Sequence, residues 1–121
     1  MTSIPNNTNL SVVVPTKNRP TELRTFLKSL WSQDLLPDQL IIIDQSLEIK
    51  QIKKEVTEKA KLLGIKINYI HNQELNGLVQ AKAAAITYNE CSIISFFDDD
   101  IVLKEDYLKA VSYTHLRAHE T

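Results

Sequence analysis

The stretch that decides the fold is Leu10–Arg19, LSVVVPTKNR, in which a short apolar run leads directly into polar and basic residues. Leu10–Val14 is rich in β-branched residues and is followed by Pro15, which is typical of a strand and its end. A run that is apolar at nearly every position, rather than at alternate ones, indicates a strand covered on both faces. The stretch therefore predicts an interior strand with polar residues at one edge of the sheet.

Further strands and helices are predicted downstream in regular alternation. The predicted strands are Leu40–Ile43, Ile65–Ile70 and Ile93–Phe97. Between the strands, apolar residues recur at three- and four-residue intervals, as on a helix with one buried face. The order β-α-β-α-β-α-β with continuous apolar strands predicts an α/β fold, in which a mostly parallel sheet carries helices on both faces.

Polar residues follow three of the predicted strands. In a parallel sheet with right-handed crossovers, all carboxyl ends meet at one edge, and ligands bind outside that edge. PTKNR follows the first strand, Asp44 the second, and Asp98–Asp100 the fourth, within SIISFFDDDIVL. Adjacent carboxylates repel one another, so a cation is expected to neutralise them. The sequence therefore predicts a ligand site built from distant segments.

The acidic cluster suits a divalent metal ion. Mg²⁺ and Mn²⁺ take oxygen ligands and are often held by one or two carboxylates together with substrate phosphates. Asp98 and Asp100, separated by one residue, fit this chemistry. The alternative is a solvated acidic loop that caps the next helix.

The other candidates also have two interpretations each. Asp44 is suited to accept a hydrogen bond from a base edge, or it is the first residue of an Asx-turn in DQS. Arg19 and Lys82 are suited to contact phosphate, or they are ordinary solvated cations. His71 is interpreted as a packing or loop residue.

Composition narrows the classes of function. The chain has 121 residues, 43% of them hydrophobic, enough for one domain or part of a larger one. A net charge of -1 gives no electrostatic basis for binding nucleic acid. No apolar run approaches the roughly 18–20 residues that span a bilayer. Cys91 is the single cysteine, which excludes a disulfide framework and suggests a reducing compartment.

Four segments occur in an order and spacing typical of one enzyme family. They are SVVVPTKNR, LIIIDQS, NGLVQAKAAA and FFDDDIVLKEDYL. With them, Leu10–Ala110 resembles the N-terminal half of a family 2 glycosyltransferase. The resemblance implies the Rossmann-like, nucleotide-binding half of a glycosyltransferase A-type fold, truncated near Ala110. It also implies that a nucleoside-diphosphate sugar binds through a divalent metal, Mg or Mn. The expected reaction is inverting sugar transfer to a hydroxyl of a saccharide or lipid-linked acceptor.

The resemblance also assigns roles to residues. The nucleotide-sugar-binding residues that it implies are Pro15, Thr16, Asn18, Arg19, Asp44, Lys82, Asp98 and Asp99. It implies Asp100 and Asp98 as metal ligands. The family often has Arg-Asn where this chain has Lys82 and Ala83. The catalytic base is expected beyond Ala110, so this chain is predicted to be inactive. The expected location is the cytoplasm or the inner face of the membrane, with no nucleic acid partner.

Three other functions compete with this interpretation. DDDIV resembles the DxDx[TV] nucleophile loop of haloacid dehalogenase-like phosphohydrolases and phosphotransferases, but that loop normally follows the first strand. A phospho-receiver domain needs acidic residues after the first strand, where this chain has PTKNR. A non-catalytic nucleotide-binding domain is the remaining alternative.

The C-terminal segment Val111–Thr121, VSYTHLRAHET, needs a separate interpretation. It resembles the translation of a transposon-based sequencing adapter, and it shows neither strand alternation nor a continued helical stripe. We therefore interpret residues 1–110 as the N-terminal nucleotide-sugar-binding part of a glycosyltransferase domain and residues 111–121 as non-native. His115 and His119 are excluded from the candidate site on this basis.

Overall fold

The computed structural model describes residues 8–75 and 77–119, with side chains up to Thr114. The side chains of His115 and His119, together with residues 120–121 of the C-terminal segment, lie outside the described part. The elements are β1 Leu10–Thr16, α1 Pro20–Trp31, β2 Gln39–Asp44, α2 Lys50–Leu62, β3 Lys66–His71, α3 Gly77–Tyr88, β4 Ile93–Phe96 and α4 Tyr107–His119. The predicted alternation of strands and helices is confirmed.

The strands of the described residues form one parallel sheet of four strands in the order β3-β2-β1-β4. The two central strands are those with the most continuous apolar sequence, and every residue of β2 is buried. In the register of the sheet, Thr16 lies beside Asp44, and Asp44 lies beside His71. The polar ends of β1 and β2 are thus neighbours at one edge, as the sequence predicts, and His71 at the end of β3 lies beside them.

Alternate strand residues point to opposite faces of the sheet, and helices cover both faces. The larger core joins one face to α1, α2 and α4, through residues such as Val12, Ile42, Phe26, Val56 and Leu108. The smaller core joins the other face to α3 and consists of Val13, Ile41, Ile43, Ala81 and Ala85. The predicted fold class, an α/β sheet with helices on both faces, is confirmed.

Two local expectations were wrong. Pro15 does not end β1, which continues to Thr16. The pairing of β1 with β4 stops at Val13 and Phe96, so Pro15 lies where one side of β1 has no neighbouring strand. A proline is tolerated there because no partner requires its missing N–H.

The helical pattern also does not stop at Ala110, because α4 continues to His119. Val111 follows Leu108 by three residues and packs with it against the larger core, and no glycine or proline interrupts the segment. The origin of residues 111–121 stays a prediction.

Candidate functional site

An open cavity of about 260 Å³ lies where β1 and β2 end. Its polar lining includes Thr16, Asn18 and Asp44, and its apolar lining includes Leu23 and Ile52. Thr16 and Asp44 reach it because they are the last residues of adjacent parallel strands. The cavity therefore lies at the edge where ligands bind in sheets of this kind.

The acidic cluster contacts the end of β1 and the loop after it through Asp99 and Asp100. The Thr16 hydroxyl donates a hydrogen bond of 2.8 Å to Asp99 Oδ2, and both residues are buried. The Arg19 guanidinium lies 3.5 Å from Asp99 Oδ1 and 3.4 Å from Asp100 Oδ2. In the described residues, Arg19 is thus the cation that faces the cluster.

The outer members of the cluster remain accessible to a ligand. Asp98 is exposed, and the side chain of Asp100 is 51% exposed. Among the described side chains, up to Thr114, no group of three His, Cys, Asp or Glu residues is arranged to hold a metal ion by itself. Two carboxylates nevertheless fit Mg²⁺ or Mn²⁺, because these ions complete their coordination with water or phosphate oxygens.

Asp44 is held at both carboxylate oxygens and is only 2% exposed. Its Oδ1 accepts a hydrogen bond of 2.9 Å from the Ser46 amide, which is the Asx-turn anticipated as an alternative. Its Oδ2 accepts a short hydrogen bond from the Tyr69 hydroxyl. Burial, followed by the bond to Asp44 and its negative charge, raises the pKa of Tyr69, so the phenol stays a donor. Asp44 is therefore fixed in one orientation beside the cavity.

Ser46 connects three loops around the cavity. Its hydroxyl accepts a 2.6 Å hydrogen bond from the amide of Asn18, a residue in the left-handed region at φ 53°. Its carbonyl accepts hydrogen bonds from His71 Nε2 at 2.6 Å and Gln73 Nε2 at 2.9 Å. Asn18 Oδ1 in turn accepts from the Leu47 amide at 3.1 Å. The loops after β1, β2 and β3 thus brace one another, and His71, the last residue of β3, takes part in this contact.

Sequence reasoning missed Ser46 and Tyr69. Tyr69 precedes His71 by two residues in an alternating strand, so both side chains point to the same face as Asp44. That alternation is the signal that could have indicated Tyr69. Ser46 carries no comparable signal, because its role depends on where the other two loops lie.

Pro15 and Lys82 lie apart from the Asp44 carboxylate. Pro15 is half-buried within β1. Lys82 belongs to α3 on the opposite face of the sheet, with Nζ 5.3 Å from the centroid of the Phe96 ring, a cation–π contact. The structure brings Thr16, Asn18, Arg19, Asp44, Asp99 and Asp100 together around one edge. The ligand roles of all the predicted site residues, including Asp98, Pro15 and Lys82, stay predictions.

Comparison with known proteins identifies the family. The family model described as glycosyl transferase family 2 matches residues 11–116, most of the chain. The chain belongs to glycosyl transferase family 2. This membership decides against the dehalogenase-like and receiver interpretations. No curated protein sequence matches it significantly.

Solved structures share the fold. TarS 1-349 of S. aureus in complex with UDP-GlcNAc superposes with a TM-score of 0.72 at 26% identity, over 91% of this chain and 32% of that chain. The same protein in complex with UDP gives a TM-score of 0.76 at 24% identity, over 91% and 32%. The mannosyltransferase PcManGT from Pyrobaculum calidifontis, in complex with GDP-Man and Mn²⁺, gives 0.71 at 18% identity, over 92% and 34%. The chain thus spans about a third of the length of these solved chains.

Proposed function

We propose that this chain binds the nucleoside-diphosphate part of a sugar donor at the carboxyl edge of its sheet, for glycosyl transfer by the whole protein. The observation that carries the proposal is the convergence of Asp44 and Asp99 on one edge, from strands distant in sequence, with a cavity beside Asp44. Similar proteins solved with UDP, UDP-GlcNAc and GDP-Man support this ligand class.

The polar groups of the site orient the sugar donor, with its base toward Asp44 and its diphosphate toward the acidic cluster. The nucleoside occupies the cavity, with its base against Asp44, because a carboxylate fixed at a strand end is an acceptor for a base N–H. Thr16 lines the cavity and bonds Asp99, so the path from the nucleoside to the diphosphate leads toward the acidic cluster. Arg19, with a side chain 45% exposed, is placed to turn toward the diphosphate, since guanidinium groups bind phosphate well.

The acidic cluster would hold a divalent ion near the diphosphate. Asp98 and Asp100 supply accessible oxygen ligands, and Asp99 is held inward by Thr16. When bound, the ion would stabilise charge on the departing nucleoside diphosphate. The resemblance predicts the same ligands, and a similar structure carries Mn²⁺ with GDP-Man.

The full reaction needs residues outside this site. We propose inverting transfer, in which a carboxylate base takes the proton of the acceptor hydroxyl and the acceptor oxygen bonds to the anomeric carbon of the sugar. The bond from that carbon to the diphosphate oxygen breaks, and the nucleoside diphosphate leaves. The acceptor is a saccharide or a lipid-linked molecule. The sugar transfer takes place in the cytoplasm or at the inner face of the membrane. Among the residues that the structure describes, no helix is long and apolar enough to cross a bilayer.

Calorimetric titration with UDP in the presence of Mn²⁺ tests the proposal. Asp44→Asn leaves one oxygen to accept from the Ser46 amide, the Tyr69 hydroxyl and the base, so we expect UDP affinity to fall at least about tenfold. Glu58→Gln removes a charge from an exposed residue of α2 and is the matched control, with no change expected. Absence of UDP binding to the unmodified chain would reject the proposed function.

A further inference from the structure

We infer that Tyr69 restricts Asp44 to one base N–H donor, so that the site prefers a uracil or thymine nucleotide to a guanine nucleotide. The inference rests on the proposed function, which places the base against Asp44. It names Tyr69 as a positioning residue that acts through the Asp44 carboxylate.

The restriction follows from how the carboxylate is held. Tyr69 lies in β3 beside Ile42 of β2, and its hydroxyl reaches diagonally to Asp44 Oδ2. The Ser46 amide holds the other oxygen at 2.9 Å. A carboxylate offers about four acceptor sites, so each oxygen has already used one of its two. Two sites remain, one on each oxygen, and because Asp44 is only 2% exposed we infer that only one of them is open to a ligand.

The bases differ in how many donors they present to such an acceptor. Uracil and thymine present one imide N–H between two carbonyl groups. Guanine presents a ring N–H and an adjacent amino group, which a carboxylate satisfies best with both oxygens free in a fork. Against a carboxylate with one open acceptor site, the guanine amino group would lose water without gaining a good partner, which is costly. Hypoxanthine, the base of IDP, has the same purine rings and ring N–H as guanine but lacks the amino group. A comparison of IDP with GDP therefore tests the number of N–H donors at constant ring size.

The Tyr69 hydroxyl is a permanent part of this arrangement. Its ring packs against the larger core, which fixes the direction of the hydroxyl. Its raised pKa, caused mainly by burial and then by Asp44, keeps the proton on the phenol oxygen at physiological pH. The Asp44 Oδ2 site on that side therefore stays occupied whichever nucleotide is present.

Calorimetric titration of the unmodified chain with UDP, GDP and IDP, each with Mn²⁺, tests the inference directly. We expect UDP to bind at least about tenfold tighter than GDP, and IDP to bind several-fold tighter than GDP, because one unpaired donor costs about that much. Equal affinities for GDP and IDP, or tighter binding of GDP than of UDP, would overturn the inference.

Tyr69→Phe removes the hydroxyl and keeps the ring in the core. The variant should bind UDP more weakly and reduce the preference for IDP over GDP toward unity. If the role of Tyr69 is purely structural, the variant should bind all three nucleotides more weakly to the same extent, and the ratio of IDP to GDP affinity should not change. That result would reject Tyr69 as the cause of the preference. Tyr88→Phe is the matched control, since Tyr88 ends α3 and its carbonyl accepts from Gln39 at the opposite edge of the sheet.

The outcomes separate this inference from the proposed function. If none of the three nucleotides binds the unmodified chain, the proposed function fails and the inference fails with it. If all three bind with the same affinity, the nucleotide site stands and the base preference alone is rejected. If Tyr69→Phe does not fold, the comparison of GDP with IDP on the unmodified chain still decides.

Discussion

The hydrogen bond between Thr16 and Asp99 should be a main support of the loop that carries the acidic cluster. It is 2.8 Å long, it joins β1 to the segment after β4, and the residues it joins are each 6% exposed. Thr16→Val replaces the hydroxyl by a methyl group of similar size, so the change isolates the hydrogen bond. Hydrogen bonds to charged groups contribute about 1.5–3 kcal/mol, and we expect a loss of about 2 kcal/mol.

Arg19 should not compensate for that loss. Its side chain is 45% exposed and lies 3.5 Å from Asp99, and such exposed ion pairs contribute roughly 0–1 kcal/mol. Urea unfolding at pH 7, followed by far-UV circular dichroism, measures the effect. With a slope of roughly 1–3 kcal/mol per molar urea, the unfolding midpoint should fall by about 1 M.

Thr25→Val is the matched control for Thr16→Val. The Thr25 hydroxyl is exposed and donates to the carbonyl of Thr21 in its own helix. Threonine and valine have similar helix propensities, so the expected change is within about 0.5 kcal/mol. If Thr16→Val costs no more than Thr25→Val, the buried hydrogen bond does not hold the loop, and our account of the acidic cluster is wrong.

Three further predictions concern charges and an unpaired hydroxyl. Arg19→Gln should strengthen the binding of Mn²⁺ in the absence of nucleotide, because the guanidinium competes with the metal for the carboxylates. The same change should weaken the binding of UDP, because the guanidinium pairs with the diphosphate. Separate titrations with Mn²⁺ and with UDP measure the two effects. The Arg24 hydrogen bond holds the pKa of Glu55 below its ordinary value. The stability that this hydrogen bond contributes is therefore present above about pH 4.5 and lost below it. The urea unfolding midpoints of the unmodified chain and of Glu55→Gln should converge in acid. A difference between them that does not change with pH would contradict this. Ser112 is buried with no partner for its hydroxyl in the described residues, so Ser112→Ala should raise the free energy of unfolding by about 1 kcal/mol, and a loss would show a missed partner.

The fold was predictable because its signals are local. β1 and β2 are apolar at nearly every position, and α1 carries a regular apolar stripe, so strand and helix alternate without ambiguity. Parallel order then brings Thr16 and Asp44 to one edge with no further information. The continuation of β1 through Pro15 was missed because it depends on where the neighbouring β4 ends.

The partners within the site were not predictable, because they depend on the relative position of separate segments. The contact between Tyr69 and Asp44 requires the order and register of β2 and β3. The pairing of Arg19 with Asp99 and Asp100 requires that β4 lie beside β1, a crossover that the chain order does not reveal. The sequence identified the acidic cluster and its need for a cation. The three-dimensional structure shows that Arg19 is a cation that faces the cluster.

The most direct test of the central claim, that the acidic cluster holds a metal ion against a nucleoside diphosphate, is calorimetric titration of UDP with Mn²⁺ or with chelator. Metal should strengthen UDP binding to the unmodified chain, since each partner neutralises the other. Asp100→Asn should lose about 1–3 kcal/mol of the metal-dependent affinity, as expected for one charged contact. Asp106→Asn, a change at an exposed aspartate outside the cluster, should lose none. If neither Mn²⁺ nor Asp100→Asn changed the affinity for UDP, the result would contradict the account. Asp98–Asp100 would then be a solvated acidic loop.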